Sequence, residues 1–76
     1  MWVEKNKTKA QLEYLKVIST TSNAIVFSEY NRMTYLITIY KLQPDYTESG
    51  YKKEKWRHQQ ITTELNNRLK KIGFLP

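Results

Sequence analysis

The chain has no cysteine, only two glycines and a single histidine. The missing thiols remove disulfides and thiolate metal ligands as supports for a short fold. With His58 as the lone imidazole, neither a Cys–His nucleophilic pair nor a His- or Cys-based zinc site can be assembled within one chain. Gly50 and Gly73 stand in unrelated places, which excludes a Gly-rich loop wrapped round a phosphate. Long apolar runs are absent too: none approaches the roughly 20 residues of a membrane span. The start, Met1-Trp2-Val3, meets Glu4 and Lys5 at once, so the chain reads as cytoplasmic, with no membrane partner.

What remains is 76 residues, 39% hydrophobic and 13% aromatic, enough for one domain with one modest core in which aromatic side chains carry a large share of the packing. No repeat, low-complexity tract or Gly/Ser linker divides residues 1–76, so a single domain is expected.

Charge is the loudest compositional signal. Thirteen Lys and Arg against seven Asp and Glu give +6, unevenly placed. Residues 1–10 carry three lysines and Glu4. Residues 11–51 are slightly acidic, with Lys16, Arg32 and Lys41 against Glu13, Glu29, Asp45 and Glu48. Residues 52–76 set Lys52, Lys53, Lys55, Arg57, Arg68, Lys70 and Lys71 against Glu54 and Glu64 alone. An excess of this kind favours an anionic partner, either nucleic acid or an acidic protein surface.

The clearest element is a C-terminal amphipathic helix over residues 51–72, because His58, Ile61, Leu65, Leu69 and Ile72 fall on one side at about 100° per residue. Lys70 and Lys71 suit the negative end of its dipole, and Gly73 stands where a left-handed residue ends a helix. Phe74 is then expected to fold back on Leu69. Residues 23–40, rich in β-branched and aromatic side chains around Asn31-Arg32, read as a β-hairpin. Ala24, Val26, Ser28, Tyr30, Met33, Tyr35, Ile37 and Ile39 would share its more apolar face, and Ile25, Phe27, Glu29, Thr34, Leu36, Thr38 and Tyr40 a mixed face. On that mixed face Phe27, Leu36 and Tyr40 form either a stacking platform for single strands or, in preference, an apolar patch closed by residues 1–10 or by a second copy of the chain. Residues 9–19 are ambiguous. Thr8-Lys9-Ala10-Gln11 has the form of a helix capping box and Ala10, Tyr14, Val17 and Ile18 fit a helical stripe, yet Leu12, Tyr14, Lys16 and Ile18 alternate with Glu13, Leu15 and Val17 as in a strand covered on both sides. The strand is preferred because a lone two-stranded ribbon is a poor platform for a helix. Residues 20–23 read as a turn and 43–50 as an exposed loop. The expected fold is therefore α+β, a three-stranded antiparallel sheet with a C-terminal helix on one face, with helix-hairpin-helix (αββα) as the alternative.

Lys52, Lys53 and Lys55 fall in or just before the first turn of such a helix, where the dipole disfavours cations unless an anion sits there. A later start near Glu54 would leave them as solvated loop. Trp56 lies opposite Ile61 and Leu65, in an arc with Lys52, Gln59, Gln60, Thr63, Asn67 and Lys70. It reads either as a stacking or interface residue or as a lid on the core beside Trp2. His58 reads as a packed histidine bonded to a neighbour such as Glu54. Asp45 and Glu48 are too few to hold a cation, so no metal and no cofactor is expected.

Strands followed by a basic helix resemble the double-stranded-RNA-binding domain, in which Ser49-Gly50-Tyr51-Lys52-Lys53-Glu54-Lys55 would match a lysine-rich helix start. Gln59-Gln60-Ile61-Thr62-Thr63 departs from that family's Ala-rich continuation. The element order also resembles the small arm-binding domains of phage-type integrases. Order alone carries no residue roles across.

The functional expectation is a non-enzymatic nucleic-acid-binding accessory or regulatory module. Lys52, Lys53, Lys55, Arg57, Lys70 and Lys71 would hold phosphates, with Trp56 and Gln60 beside them. The alternative is a small effector of the kind carried by phages and mobile elements, inhibiting a host protein through a Trp-centred surface. A homodimer is compatible with either.

Overall fold

The computed structural model describes residues 8–75, and its elements are three α-helices: α1 (Lys9–Thr20), α2 (Asn23–Tyr40) and α3 (Glu48–Lys71). Among the described residues there is no strand. The expected sheet is thereby overturned, and with it the α+β class, the αββα alternative and the likeness in element order to the two families. Trp2 and the rest of residues 1–7 lie outside the described residues.

Each helix begins at a hydroxyl. Thr8 caps α1 with both halves of a capping box: its Oγ1 accepts from the Gln11 N–H at 3.0 Å, and the Gln11 side chain accepts from the Thr8 N–H at 3.0 Å. Two of the orphan donors of a helix start are thus satisfied locally, and the segment that could also alternate as a strand becomes a helix. Ser22 caps α2, accepting from the Ile25 N–H at 3.3 Å, and Thr47 caps α3, accepting from the Gly50 N–H at 3.1 Å.

The hairpin expected over residues 23–40 is one uninterrupted helix. Its β-branched and aromatic residues are compatible with either state, since strand propensity mostly records side-chain packing. The deciding spacing is Val26, Tyr30, Met33, Ile37 and Tyr40, which recur at three and four residues and bury one stripe. Val26 and Met33 have no exposed surface at all.

The chain runs up, down and up. Tyr40 meets Tyr51, Thr34 meets His58 and Asn23 meets Arg68, so α2 is antiparallel to α3. Tyr14 meets Trp56, and the Ile18 carbonyl meets Arg68, so α1 is parallel to α3. Ile18, Val26 and Ile61 form the shared core, ringed by half-buried Tyr14, Leu15, Tyr30 and Leu65. His58 does pack, though not on Glu54: its Nε2 lies 2.9 Å from Thr34 Oγ1 and its ring stacks on Tyr30 with centroids 5.5 Å apart.

The connection between α2 and α3 is closed by Tyr40, Tyr46 and Tyr51, whose ring centroids lie 5.8–6.3 Å apart. Gly50, expected in a loop, sits in the first turn of α3, where any side chain would run into the Tyr40 hydroxyl and Thr47 Oγ1. At the other end α3 stops as its sequence indicates. Gly73 has φ 81°, its N–H donates to the Lys70 carbonyl at 3.1 Å, and the Phe74 N–H donates to the Leu69 carbonyl at 2.9 Å, a Schellman motif. The accompanying hydrophobic closure does not form, since Phe74 remains 74% exposed.

Candidate functional site

The fold gives α3 two neighbours and one free side. α2 covers the sector of His58, Ile61 and Leu65, and α1 covers the sector of Arg57, Glu64 and Arg68. The opposite ridge, Lys52, Lys55, Gln59, Thr63, Asn66 and Lys70, is exposed along its whole length. Lys53 and Lys71 are exposed on its α1 flank, at the same angular position about five turns apart.

Sign segregation is the main electrostatic feature. Beyond Glu48 at its first position, α3 has only two acids, and neither lies on the free side. Glu54 is half-buried. Glu64 receives Arg68 Nε at 2.8 Å, and both partners are largely covered. Among the described residues the ion pairs are Arg32–Glu29 and Arg68–Glu64, so Lys52, Lys53, Lys55, Lys70 and Lys71 have no acidic partner there.

The start of α3 differs from the two alternatives that the sequence offered. The helix begins at Glu48, upstream of both, so Lys52, Lys53 and Lys55 lie in the second and third turns. The first turn already holds a hydroxyl cap and an acid, and the Tyr46 hydroxyl donates to Glu48. The dipole-bound anion site is therefore not built. The lysines act as side chains on a rod.

Trp56 does not stand free. It is half-buried on the α1 flank, its ring centroid 6.3 Å from that of Tyr14 at a tilt of 54°. With Lys53, Arg57, Thr8, Ala10 and Gln11 it lines a shallow recess of about 380 Å³. Arg57 is drawn the same way, its guanidinium 5.3 Å above the Tyr14 ring, a cation–π contact that fixes α1 to α3. Lys55 keeps its ammonium 5.8 Å from the Tyr51 ring and remains exposed. Gln60 is half-buried beside the ridge. At the far end Asn67, Lys70 and Lys71 border a second recess, of about 540 Å³, with the Glu64–Arg68 pair as its wall.

Of the eight residues singled out from sequence, Lys52, Lys55 and Lys70 share the free ridge of α3, Lys53 and Lys71 are exposed on its α1 flank, Gln60 and Trp56 border the ridge, and Arg57 turns into the bundle. The amides and hydroxyl between the lysine clusters, Gln59, Thr63, Asn66 and Asn67, complete the surface. Asn66 was not among the residues singled out, although its position seven residues after Gln59 was visible on the helical wheel. The mixed sheet face does not exist. Tyr40 closes the α2–α3 connection, and Phe27, 55% exposed, borders an apolar recess with Leu65, Leu69 and Ile72.

No group of three or more His, Asp or Glu that could hold a metal ion occurs among the described residues. No described helix is long and apolar enough to cross a membrane. No protein-family model matches the chain, and comparison with curated proteins and with solved structures returns no match.

Proposed function

We propose that the chain is a non-enzymatic nucleic-acid-binding module that presents the free side of α3 to a phosphate backbone. The observation that carries this reading is that, after Glu48 at the helix start, no acid stands on the Lys52–Lys70 ridge. A face kept only for solubility gains from mixing signs, since Glu and Lys three or four residues apart stabilise a helix by about 0.2–0.5 kcal/mol per pair while like charges cost a similar amount. Here both later acids of α3 turn to the bundle, while Lys52, Lys55 and Lys70 face outward on the ridge and Lys53 and Lys71 stay exposed beside it. The arrangement sacrifices helix stability for a one-signed field, which a polyanion rewards through counterion release. The effector reading needed a Trp-centred surface and draws no support from a half-buried Trp56.

The test is a fluorescence-anisotropy titration of labelled nucleic acid across a salt series. Lys52→Ala/Lys53→Ala should weaken binding to every sequence alike and lower the slope of log K against log salt by about one to two. Both side chains are exposed, so the variant should keep its fold, which circular dichroism checks. Unchanged affinity and slope would remove these residues from the interface.

A further inference from the structure

Along the ridge of α3 the lysines are not evenly spread. Lys52, Lys53 and Lys55 stand at one end and Lys70 and Lys71 at the other, while the exposed positions between them carry Gln59, Thr63, Asn66 and Asn67. Resting on the nucleic-acid reading, we propose that α3 is a major-groove reader of duplex DNA, its central amides meeting base edges and its two lysine clusters meeting the flanking phosphates.

The geometry follows from elementary dimensions. α3 has 24 residues and is about 36 Å long, with a diameter of about 10–12 Å including side chains. The major groove of B-DNA is about 12 Å wide and admits one helix. A straight rod laid in a groove that winds round an axis touches the floor only over its middle turns. Its ends rise toward the phosphate rows. Chemistry that reads bases therefore belongs in the middle, and chemistry that grips phosphate belongs at the ends.

α3 has that order. Gln59, Thr63 and Asn66 lie on one line at spacings of four and three, covering about 10 Å of rise, or roughly three base-pair steps at 3.4 Å. Gln and Asn present a donor and an acceptor together and match the N6 and N7 edge of adenine. Thr bonds either kind of edge and contacts the thymine methyl. Lys52 lies about 10 Å before Gln59 and Lys70 about 6 Å after Asn66, which places ammonium groups beyond both ends of the reading line. α1 and α2 pack on the other sectors of α3, so neither stands between this ridge and a groove.

The same dimensions exclude the other nucleic acids as equal ligands. The major groove of an A-form RNA duplex is too deep and narrow for side chains to read, and single strands are read chiefly by stacking on aromatic rings. The ridge has no exposed ring, because Trp56 leans on Tyr14.

The experiment compares a DNA duplex, an RNA duplex and a DNA single strand of the same sequence in one anisotropy titration at low salt. Competitors follow: methyl green for the major groove and netropsin for the minor. The DNA duplex should bind tightest by about tenfold or more, methyl green should be displaced and netropsin should not. Selection from a pool of duplexes with a randomised centre should enrich about three adjacent positions. Gln59→Ala/Asn66→Ala should flatten that enrichment while leaving the salt slope unchanged. Equal binding of the RNA duplex or single strand, or competition by netropsin, would overturn the groove assignment and leave the nucleic-acid reading standing. No binding of any of the three at low salt would overturn both.

Discussion

Tyr14 shows how much one side chain carries in so small a bundle. It is half-buried, its hydroxyl donates to Glu29 Oε2 at 3.2 Å, Trp56 packs against its ring and Arg57 lies above it. Burial first, then the charge of Glu29 and the hydrogen bond to it, push the phenol up to about 12, while Arg57 and Arg32 pull the other way. An unfolded tyrosine ionises near pH 10. Between about pH 10 and 12 the folded chain therefore keeps a proton that the unfolded chain has released, so this contribution is whole below pH 10 and is lost as pH rises through 12. Tyr14→Phe has no proton to lose. Its urea midpoint, measured at pH 8 and pH 11, should fall less between the two than the midpoint of the parent chain. Equal falls would show that the Tyr14 proton is not linked to folding.

Among the elements, α1 is the least embedded. Its contacts with α3 gather at Tyr14 and the Ile18 carbonyl, whereas α2 and α3 face each other along their length. Its C-terminal end is held by Arg68, which gives Nη2 to the Ile18 carbonyl at 2.9 Å, Nη1 to Asn23 Oδ1 at 2.8 Å and Nε to Glu64 at 2.8 Å, touching all three helices. Hydrogen bonds to a charged group contribute about 1.5–3 kcal/mol each. Arg68→Ala should therefore speed amide exchange in α1 by roughly tenfold to a hundredfold, with much smaller changes in the middle of α2 and α3, and Arg68→Lys should recover little because the three-way fork is lost. Uniform acceleration across all three helices would show that α1 does not open separately. The elements were unevenly legible in sequence. α3 was readable because its stripe spans many turns and Gly73 marks its end. α1 was written in the capping box of Thr8 and Gln11, but two periods fitted its short stripe. α2 was hidden because Val, Ile, Thr and Tyr suit a strand as well as a packed helix, and the spacing of Val26, Tyr30, Met33 and Ile37 needed the α3 partner to decide it. The site was legible as a sign of charge. Its register was not, since Pro44 and Gly50 read as loop while Thr47 starts the helix between them.

At the scale of the whole molecule, a chain of net charge +6 has, among the described residues, four buried apolar side chains: Ile18, Val26, Met33 and Ile61. Both ion pairs among the described residues lie within a single helix, so charge attraction between side chains does little to hold the helices together. Screening should then help more than it harms. The thermal midpoint should rise when salt is raised from about 10 mM to 0.15 M, where the screening length falls from about 30 to 8 Å. Lys52→Gln/Lys70→Gln should raise the low-salt midpoint and reduce the gain. A midpoint that falls with added salt would mean that attraction dominates the surface.

The tyrosine knot between α2 and α3 bears on folding speed. Tyr40 and Tyr51 stand close along the chain, so the first interhelical contact needs only a short loop to close, at small entropic cost. Zippering from that point pairs α2 with α3 through ever more distant partners, an order typical of helical proteins that fold within microseconds to milliseconds. The rod that carries the lysines would be straight and braced before the first helix has docked.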